Sequence, residues 1–487
     1  MNKYTLGIDV GTSGVKAGLL DLSTLKLKYV AVRKYESSVL QRSETLWRQT
    51  VAALKDSIAM LGGSGSLEAI GISGQMHGTV LYDSSGEVID PVINWQDKRC
   101  DQPLVRYGGK TTIDVIMETL DEGGFKDLGI DTMASGFLGA TLFHIKENDP
   151  SLFRQIRHAV LPADFIRGRL LGCSQFATDQ TNAGSTGLFN TRLRKWHEPF
   201  IEKLGLPCDV FPEVHDASEV AGFVPGTLSD LLGIEKGVPV IYGGGDLQMS
   251  ILGSGLSSPA SPDLINIGTG SQIARVIGEY SKIPGIDTWS LFGGNYVHVG
   301  ASLGGGISYQ RLREEIRERK EPDIDYYRMD ELASAVPPGS DGLRFCSGPS
   351  RSHPLRVHGF YGEGIQNRST GHLSRAVMEG VILDLVSFRK LMGHKVMGEN
   401  QHEIMVGSGR GLSNSRVWTQ ITADMFAKRL QIIEHETAVF GAALMAACGI
   451  SAIGDKSQMA GKISYNDASP DSGSSKRYQS LIRNEIW

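Results

Sequence analysis

The sequence predicts an α/β protein built from two similar domains. Three observations carry that reading. The chain has 487 residues, enough for two large domains or three ordinary ones. Short apolar runs stop repeatedly at glycine and polar residues, as functional loops do at the carboxyl ends of strands. And one pattern occurs twice. Leu-Gly-Ile-Asp-Val-Gly-Thr-Ser-Gly at Leu6–Gly14 is matched by Asp-Leu-Ile-Asn-Ile-Gly-Thr-Gly at Asp263–Gly270, a little over half the chain later. Both are an apolar strand with one polar residue, then an aliphatic-Gly-Thr turn, so a duplicated α/β unit is expected, with a boundary near residues 248–262.

From the N-terminus, Tyr4–Asp9, Val15–Leu22 and Tyr29–Tyr35 read as a β-meander, with a turn at Gly11-Thr12-Ser13-Gly14. Helical spacing follows over Thr45–Leu61. Ala69–Ser73 reads as a short buried strand running into the loop Gly74–Gly78. Val238–Gly243 is a further strand that ends at Gly244-Gly245-Asp246, and Leu247–Leu252 opens a helix. Leu373, Val377, Val381, Leu385, Phe388 and Met392 form one stripe of an amphipathic helix. Glu403–Val406 is a strand leading into a glycine-rich turn. Glu436–Ala447 is an alanine-rich helix whose Gly441 suits close packing. From about residue 452 the chain turns polar, and a mobile tail or surface excursion is expected there.

Composition removes several function classes. Lys plus Arg is 49 and Asp plus Glu is 54, for a net charge of −5, so no nucleic-acid partner is expected. Glycine occurs 60 times and proline 18 times without a low-complexity tract, which favours tight turns over disorder. The five cysteines, Cys100, Cys173, Cys208, Cys346 and Cys448, show no CxxC spacing. They suit a reducing, cytoplasmic compartment rather than a zinc or disulfide framework. The N-terminus has no secretory h-region, and no apolar run reaches the ~18 residues of a membrane span.

The small residues Gly11, Thr12, Ser13 and Gly14 would let backbone N–H groups approach a phosphate closely. The segment is not a P-loop, and GxGxxG is missing from a βαβ context, so P-loop enzymes and Rossmann dehydrogenases are disfavoured. Asp9 before the turn could hold water-coordinated Mg²⁺, with Lys16 a nearby cation; an ordinary hairpin turn with a capping Asp is the other reading. Gly268, Thr269, Gly270 and Ser271 repeat the logic with Asn266 in place of the carboxylate. Gly407, Ser408 and Gly409, then Gly411, Ser413 and Asn414, form a second turn over which a purine ring could slide, or else a generic loop. Asp246 is either the group that accepts a proton from an attacking hydroxyl or a helix N-cap. Gln75, Met76, His77, Trp95, Gln96 and Asp97 bring together the aromatic faces and amide or carboxylate edges that polyol recognition uses.

In combination, Ile8–Ser13, Gly74–Gly78, Trp95–Arg99, Gly245-Asp246, Gly268–Gly270 and Gly407–Gly409 resemble the FGGY family of carbohydrate kinases, over about residues 3–450. The sedoheptulokinase branch is the nearest likeness, through Asn94–Cys100, Asp179–Thr191, Gly245–Ser250, Gly300–Gly305 and Gly407–Asn414. Gln75-Met76-His77 is shared with xylulokinases, whereas Leu247-Gln248 departs from their Asp-Asn. The family's Lys-Leu-x-Trp-Leu segment is here Thr141–Ile145.

The resemblance implies two ribonuclease-H-like (actin-like ATPase) domains, 1–250 and 251–487, with an interdomain catalytic cleft and the polar tail from about 452. It implies ATP and Mg²⁺ as cofactors, a small-molecule ketose as partner, and a homodimer. Asp246 would be the base, and Asp9 and Asp246 would reach the metal through water. Gly11, Thr12, Ser13, Lys16, Gly268, Thr269, Gly270, Gly305, Gly407, Ser408, Gly409 and Asn414 would bind ATP. Gln75, Met76, His77, Trp95, Gln96, Asp97 and Gln248 would line the sugar site. The expected reaction is phosphorylation of a ketose at its terminal hydroxyl, sedoheptulose first. D-xylulose or D-ribulose kinases, a sugar-independent actin/Hsp70-type ATPase and a catalytically silent sugar-binding protein are the rivals.

Overall fold

The structure, a computed structural model, describes residues 2–36, 39–62, 65–120, 126–174, 176–319, 321–348, 357–362, 368–393, 404–453, 463 and 465–483. Two large sheets organise it. The first is built from β1 (Asn2–Val10), β2 (Gly14–Asp21), β3 (Lys26–Lys34), β4 (Gly65–Gly74), β5 (Val220–Phe223) and β6 (Pro239–Gly245). The second is built from β7 (Leu264–Ile267), β8 (Ser271–Ile277), β9 (Asp287–Ser290), β10 (Tyr296–Ser302), β11 (Ile404–Ser408), β12 (Arg429–Ile433) and β13 (Tyr465–Ala468).

The strand orders are β5-β6-β4-β1-β2-β3 and β9-β10-β8-β7-β11-β12-β13. In each sheet a central strand pairs antiparallel with the next strand in sequence and parallel with a strand far along the chain. β1 does so with β2 and β4, and β7 with β8 and β11. Each sheet then adds a second parallel strand, flanked by an antiparallel strand: β6 with β5, and β12 with β13. Over five strands, β1, β2, β3, β4 and β6 against β7, β8, β10, β11 and β12, the two halves therefore share one arrangement, as the repeated strand-turn pattern predicts. Asp9 and Asn266 are equivalent by register, since Asp9 pairs with Ser73 and Asn266 with Ser408.

Burial explains the local structure. Leu6, Ile8 and Val10 of β1 are fully buried, so a central strand with both faces covered is their only comfortable place. In α1 (Ser43–Ala59), Leu46, Trp47, Thr50, Ala53, Leu54 and Ser57 are buried at helical spacing. The helix Asp246–Gly253 is α2, and Gly306–Arg319 is α3. In α4 (Thr370–Leu391) the expected stripe is the core face, with Val377, Val381, Leu385 and Phe388 fully buried. Among the described residues no helix is long and apolar enough to cross a membrane.

One helix crosses to the first sheet, and one expectation is corrected. The helix α5 (Thr437–Gly449) follows β12 in the chain. It lies on β1 and β4, where Thr5 Oγ1 donates to the Ala443 carbonyl at 2.7 Å, and it crosses α2 so closely that a Cβ on Gly441 would overlap the Met249 carbonyl oxygen. The polar stretch beyond residue 452 is not a tail where it is described. β13 pairs antiparallel with β12, and α6 (Ser472–Arg483) buries Tyr478 and Ile482. β13 takes the outer antiparallel place that β5 takes in the first sheet, although β13 follows its partner in the chain and β5 precedes its own. Its polar composition is tolerated because an edge strand is held by backbone hydrogen bonds. Residues 454–462 lie outside the described residues.

Candidate active site

Three strand ends set the chemistry. Asp9 is opposite Ser73 in the β1/β4 register, and Gly245, just before Asp246, is opposite Gly74 in the β4/β6 register. The two carboxylates thus stand at one edge of the sheet with a single strand between them, roughly 10 Å apart at two inter-strand spacings. Asp9 is 8% exposed and accepts a hydrogen bond from Ser73 Oγ at 3.3 Å. Burial raises its pKa, opposed chiefly by the Lys16 ammonium. Asp246 is pushed up to about 7, first by burial and then by the negative charge of Asp9. It is the first residue of α2 and accepts the Leu247 N–H at 2.9 Å. The N-cap position is Gly245, so capping is not its role.

Two of the residues expected to line a sugar site, Met76 and Gln248, pack beside this carboxylate. A Cβ on Gly245 would meet Gln248 Oε1 and Met76 Cγ, each at 2.7 Å, which places both side chains against the Asp246 turn. Gln248 is fully buried, and its Oε1 has no partner. A buried amide oxygen without a donor costs about 1–3 kcal/mol unless a ligand hydroxyl supplies one. His77 has φ +74°, unusual for a side chain with a Cβ. It is held by Ser185, whose carbonyl is 2.6 Å from Nδ1, and its ring stacks on Phe137 at 4.1 Å with Trp289 edge-on at 5.9 Å. Trp95, 39% exposed, donates from Nε1 to Thr12 Oγ1 at 2.8 Å. The Gln96 N–H is tied to Asn94 Oδ1. Asp97 is committed to a bidentate pair with Arg99, at 2.8 and 3.1 Å. It therefore shapes the loop through that pair.

Among the residues expected to bind ATP, Gly268, Thr269 and Gly270 form a tight turn in which the Gly268 N–H donates to the Gly270 carbonyl. The start of α3 packs onto this turn, with Gly306 and Ile307 N–H bonded to the Gly268 and Thr269 carbonyls and a Cβ on Gly305 too close to Gly270. Gly409 closes the third side. It has φ +90°, and a Cβ there would come 2.5 Å from the Ile267 carbonyl oxygen. The strand β11 runs two residues further than the sequence suggests, so Gly407 and Ser408 belong to the strand, and the turn begins at Gly409. Asn414 is exposed just after the turn. Lys16, expected to face phosphate, is paired with Glu436 at 2.6 Å. It bridges the first hairpin to the start of α5 and shields Asp9.

This set fits a magnesium nucleotide. Ser271 Oγ and Ser408 Oγ, beside the two glycine turns, are buried without partners, and a Cβ at Gly268 would have nothing nearer than Asn266 Oδ1 at 3.5 Å. Among the described residues no group of three or more His, Cys, Asp or Glu side chains could hold a metal by itself. Two carboxylates at one edge suit Mg²⁺ instead, which keeps several waters and takes phosphate oxygens as ligands.

Several residues escape sequence reasoning. Phe137 and Trp289 form the aromatic walls around His77, yet each is a lone aromatic in its own segment. Asp179 and Thr181 hold the Gly245-Asp246 turn, since the Gly245 N–H donates to Thr181 Oγ1 at 2.9 Å and Asp179 accepts from Thr181. Their segment stands out only through the family likeness of Asp179–Thr191.

Comparison with known proteins agrees with this geometry. The model of the FGGY family of carbohydrate kinases, N-terminal domain, matches residues 4–253, and that of the C-terminal domain matches residues 349–450. The xylulose kinase of Bacillus subtilis (strain 168) is 25% identical over 463 residues, covering 92% of this chain and 88% of its own. The sedoheptulokinase of Mus musculus is 26% identical over 485 residues, covering 91% and 96%. The crystal structure of xylulose kinase from Rhodospirillum rubrum superposes with a TM-score of 0.85 at 23% identity, covering 99% of this chain and 97% of that one. That likeness is one of fold: a mixed α/β chain of two domains, the actin-like ATPase fold. With both domain models matched in order on this fold, the chain belongs to the FGGY family of carbohydrate kinases.

Proposed function

We propose that the protein transfers the γ-phosphoryl group of ATP to the terminal hydroxyl of a ketose. The observation that carries this is Asp246, a carboxyl pushed to about 7 at the edge shared with Asp9 and packed beside the unpartnered amide oxygen of Gln248. A base poised near neutral pH is what abstraction of a hydroxyl proton requires.

In the reaction the sugar oxygen attacks the γ-phosphorus, the bond to the β,γ-bridging oxygen breaks, and the hydroxyl proton passes to Asp246. Mg²⁺, reached through water by Asp9 and Asp246, would offset the charge on the phosphates. Thr12 and Ser13 on one side, and Gly268, Thr269 and Gly270 on the other, would hold those phosphates. Gly305, Gly409 and Asn414 would take the adenosine side. Gln75, Met76, His77, Trp95 and Gln248 would orient the sugar, with Gln96 and Asp97 shaping the loop. This division asks of the protein positioning and water exclusion rather than covalent chemistry.

Sedoheptulose is the first acceptor we propose, on Leu247-Gln248 and the Asp179–Thr191 segment. D-xylulose is the second, because relatives named xylulose kinase recur among the similar proteins. The cytoplasm is the proposed compartment, in keeping with five free cysteines. A coupled ADP-release assay with Mg·ATP against sedoheptulose, D-xylulose, D-ribulose, glycerol and no sugar tests the reading. A kcat/KM for sedoheptulose at least ~10-fold above the pentuloses, about 1.4 kcal/mol, supports the first acceptor. The reverse ratio supports the second. ADP release indifferent to every sugar rejects the ketose kinase.

A further inference from the structure

The first phosphate turn is wired to the sugar loop by a closed circuit of hydrogen bonds through a residue outside both. Gln41 lies in the short strand Leu40–Gln41, which pairs with Val88–Ile93, and is 4% exposed. Its Nε2 donates to the Thr12 carbonyl at 2.8 Å. Its Oε1 accepts from Gln75 Nε2 at 3.3 Å. Gln75 Oε1 in turn accepts from Thr12 Oγ1 at 3.3 Å, and Thr12 Oγ1 accepts from Trp95 Nε1 at 2.8 Å. Donor follows acceptor around the ring, from Thr12 through Gln75 and Gln41 back to Thr12. No member can rotate its amide without breaking two bonds.

The circuit also fixes which way the turn faces. Tyr35 donates its hydroxyl to the Gly11 carbonyl, and Gln41 donates to the next carbonyl, that of Thr12. In a trans peptide the carbonyl and the following N–H point in opposite directions. Two successive carbonyls drawn back onto Tyr35 and Gln41 therefore aim the Thr12 and Ser13 N–H groups the other way. Neither N–H has a partner among the described residues. Two adjacent free N–H groups in a turn make an anion-binding concavity.

We infer that Gln41, with Tyr35 beside it, is a positioning residue that aims the Thr12 and Ser13 N–H groups at the terminal phosphate of ATP and ties that aim to the sugar loop through Gln75. A sugar that engages Gln75 or Trp95 tightens the same circuit. The turn is then best set for ATP when the acceptor is present, which limits futile hydrolysis. This rests on the ketose kinase reading for the identity of the two ligands.

The test is calorimetric binding of a non-hydrolysable ATP analogue and of ADP, each with Mg²⁺, to wild type, Gln41→Leu and Tyr35→Phe. Steady-state assays with and without sugar run alongside. Gln41→Leu is expected to weaken the ATP analogue ~10-fold, the scale of a lost hydrogen bond to an organised turn, while ADP changes less than ~2-fold. The ratio of sugar-free to sugar-dependent ADP release should rise several-fold. Tyr35→Phe, which removes one hydroxyl, should shift both readouts in the same direction by less, and it keeps the inference testable if Gln41→Leu fails to fold. A ring that only braces the fold would lower Tm and the active fraction and leave the analogue-to-ADP ratio unmoved. That result in both variants overturns the inference and leaves the kinase reading intact. Wild type that binds neither nucleotide brings down the kinase reading, and this inference with it.

Discussion

Asp9 and Asp246 stand at the ends of the strands on either side of β4, Asp9 in register with Ser73 and Asp246 one residue past the Gly245–Gly74 pair. The charge of Asp9 is one of the two causes that lift the Asp246 pKa. Burial lifts both carboxyls; at Asp9 the Lys16 ammonium opposes that lift, while at Asp246 the charge of Asp9 adds to it. Unlike environments give like residues separate tasks.

Removing the base tests that division. Asp246→Asn keeps the shape of the turn and loses the proton acceptor. It should lower kcat by at least ~10²-fold with little change in either KM, the scale of general-base catalysis. Wild-type kcat in this variant, measured by ADP release, would remove Asp246 from the role.

The same carboxylate sets a pH dependence. Asp246 works ionised, and its pKa is pushed up to about 7. Sugar kcat/KM should therefore be at its plateau above neutral pH and fall as pH drops through 7, approaching tenfold per unit. A profile flat from about pH 8 to 5 would contradict the assignment.

His77 offers a test of the sugar site alone. Its left-handed backbone suits Asn as well as His, so His77→Asn keeps the loop while deleting the ring stacked on Phe137. The KM for sugar should rise roughly tenfold, the upper range for a lost aromatic contact, while the KM for ATP stays put. A larger shift for ATP than for sugar would place this loop elsewhere in the mechanism.

The crossing of α2 and α5 should matter to catalysis as well as to stability. Asp246 begins α2, and Gly441 of α5 touches the Met249 backbone. A methyl in Gly441→Ala must push the helices apart, at a cost of about 1–3 kcal/mol. Thermal unfolding should fall by several degrees, and kcat should drop more than either KM changes. An unchanged Tm would mean that the helices part freely.

Most of the architecture is written locally. Buried strands such as Leu6–Val10 and the stripe from Leu373 to Met392 announce themselves through apolar spacing. The strand-turn repeat at Asp9 and Asn266 exposes the duplication. The features that stay hidden depend on distant partners. Nothing near Lys16 signals Glu436, 420 residues away and 2.6 Å distant. Nothing in Tyr465–Ala468 signals a strand, because its pairing with β12 is made by backbone rather than by apolar side chains. The aromatic frame of His77 comes from Phe137 and Trp289, which only the fold brings together. Gln41 is a lone glutamine until its circuit closes.

The most direct measurement follows the phosphorus. Wild-type protein would be incubated with Mg·ATP and sedoheptulose or D-xylulose, and the products read by phosphorus NMR together with ADP. The account predicts one phosphate ester on the terminal carbon of the ketose for each ADP formed, and almost none with Asp246→Asn. ADP accompanied by inorganic phosphate, with no sugar ester from either ketose, would contradict it.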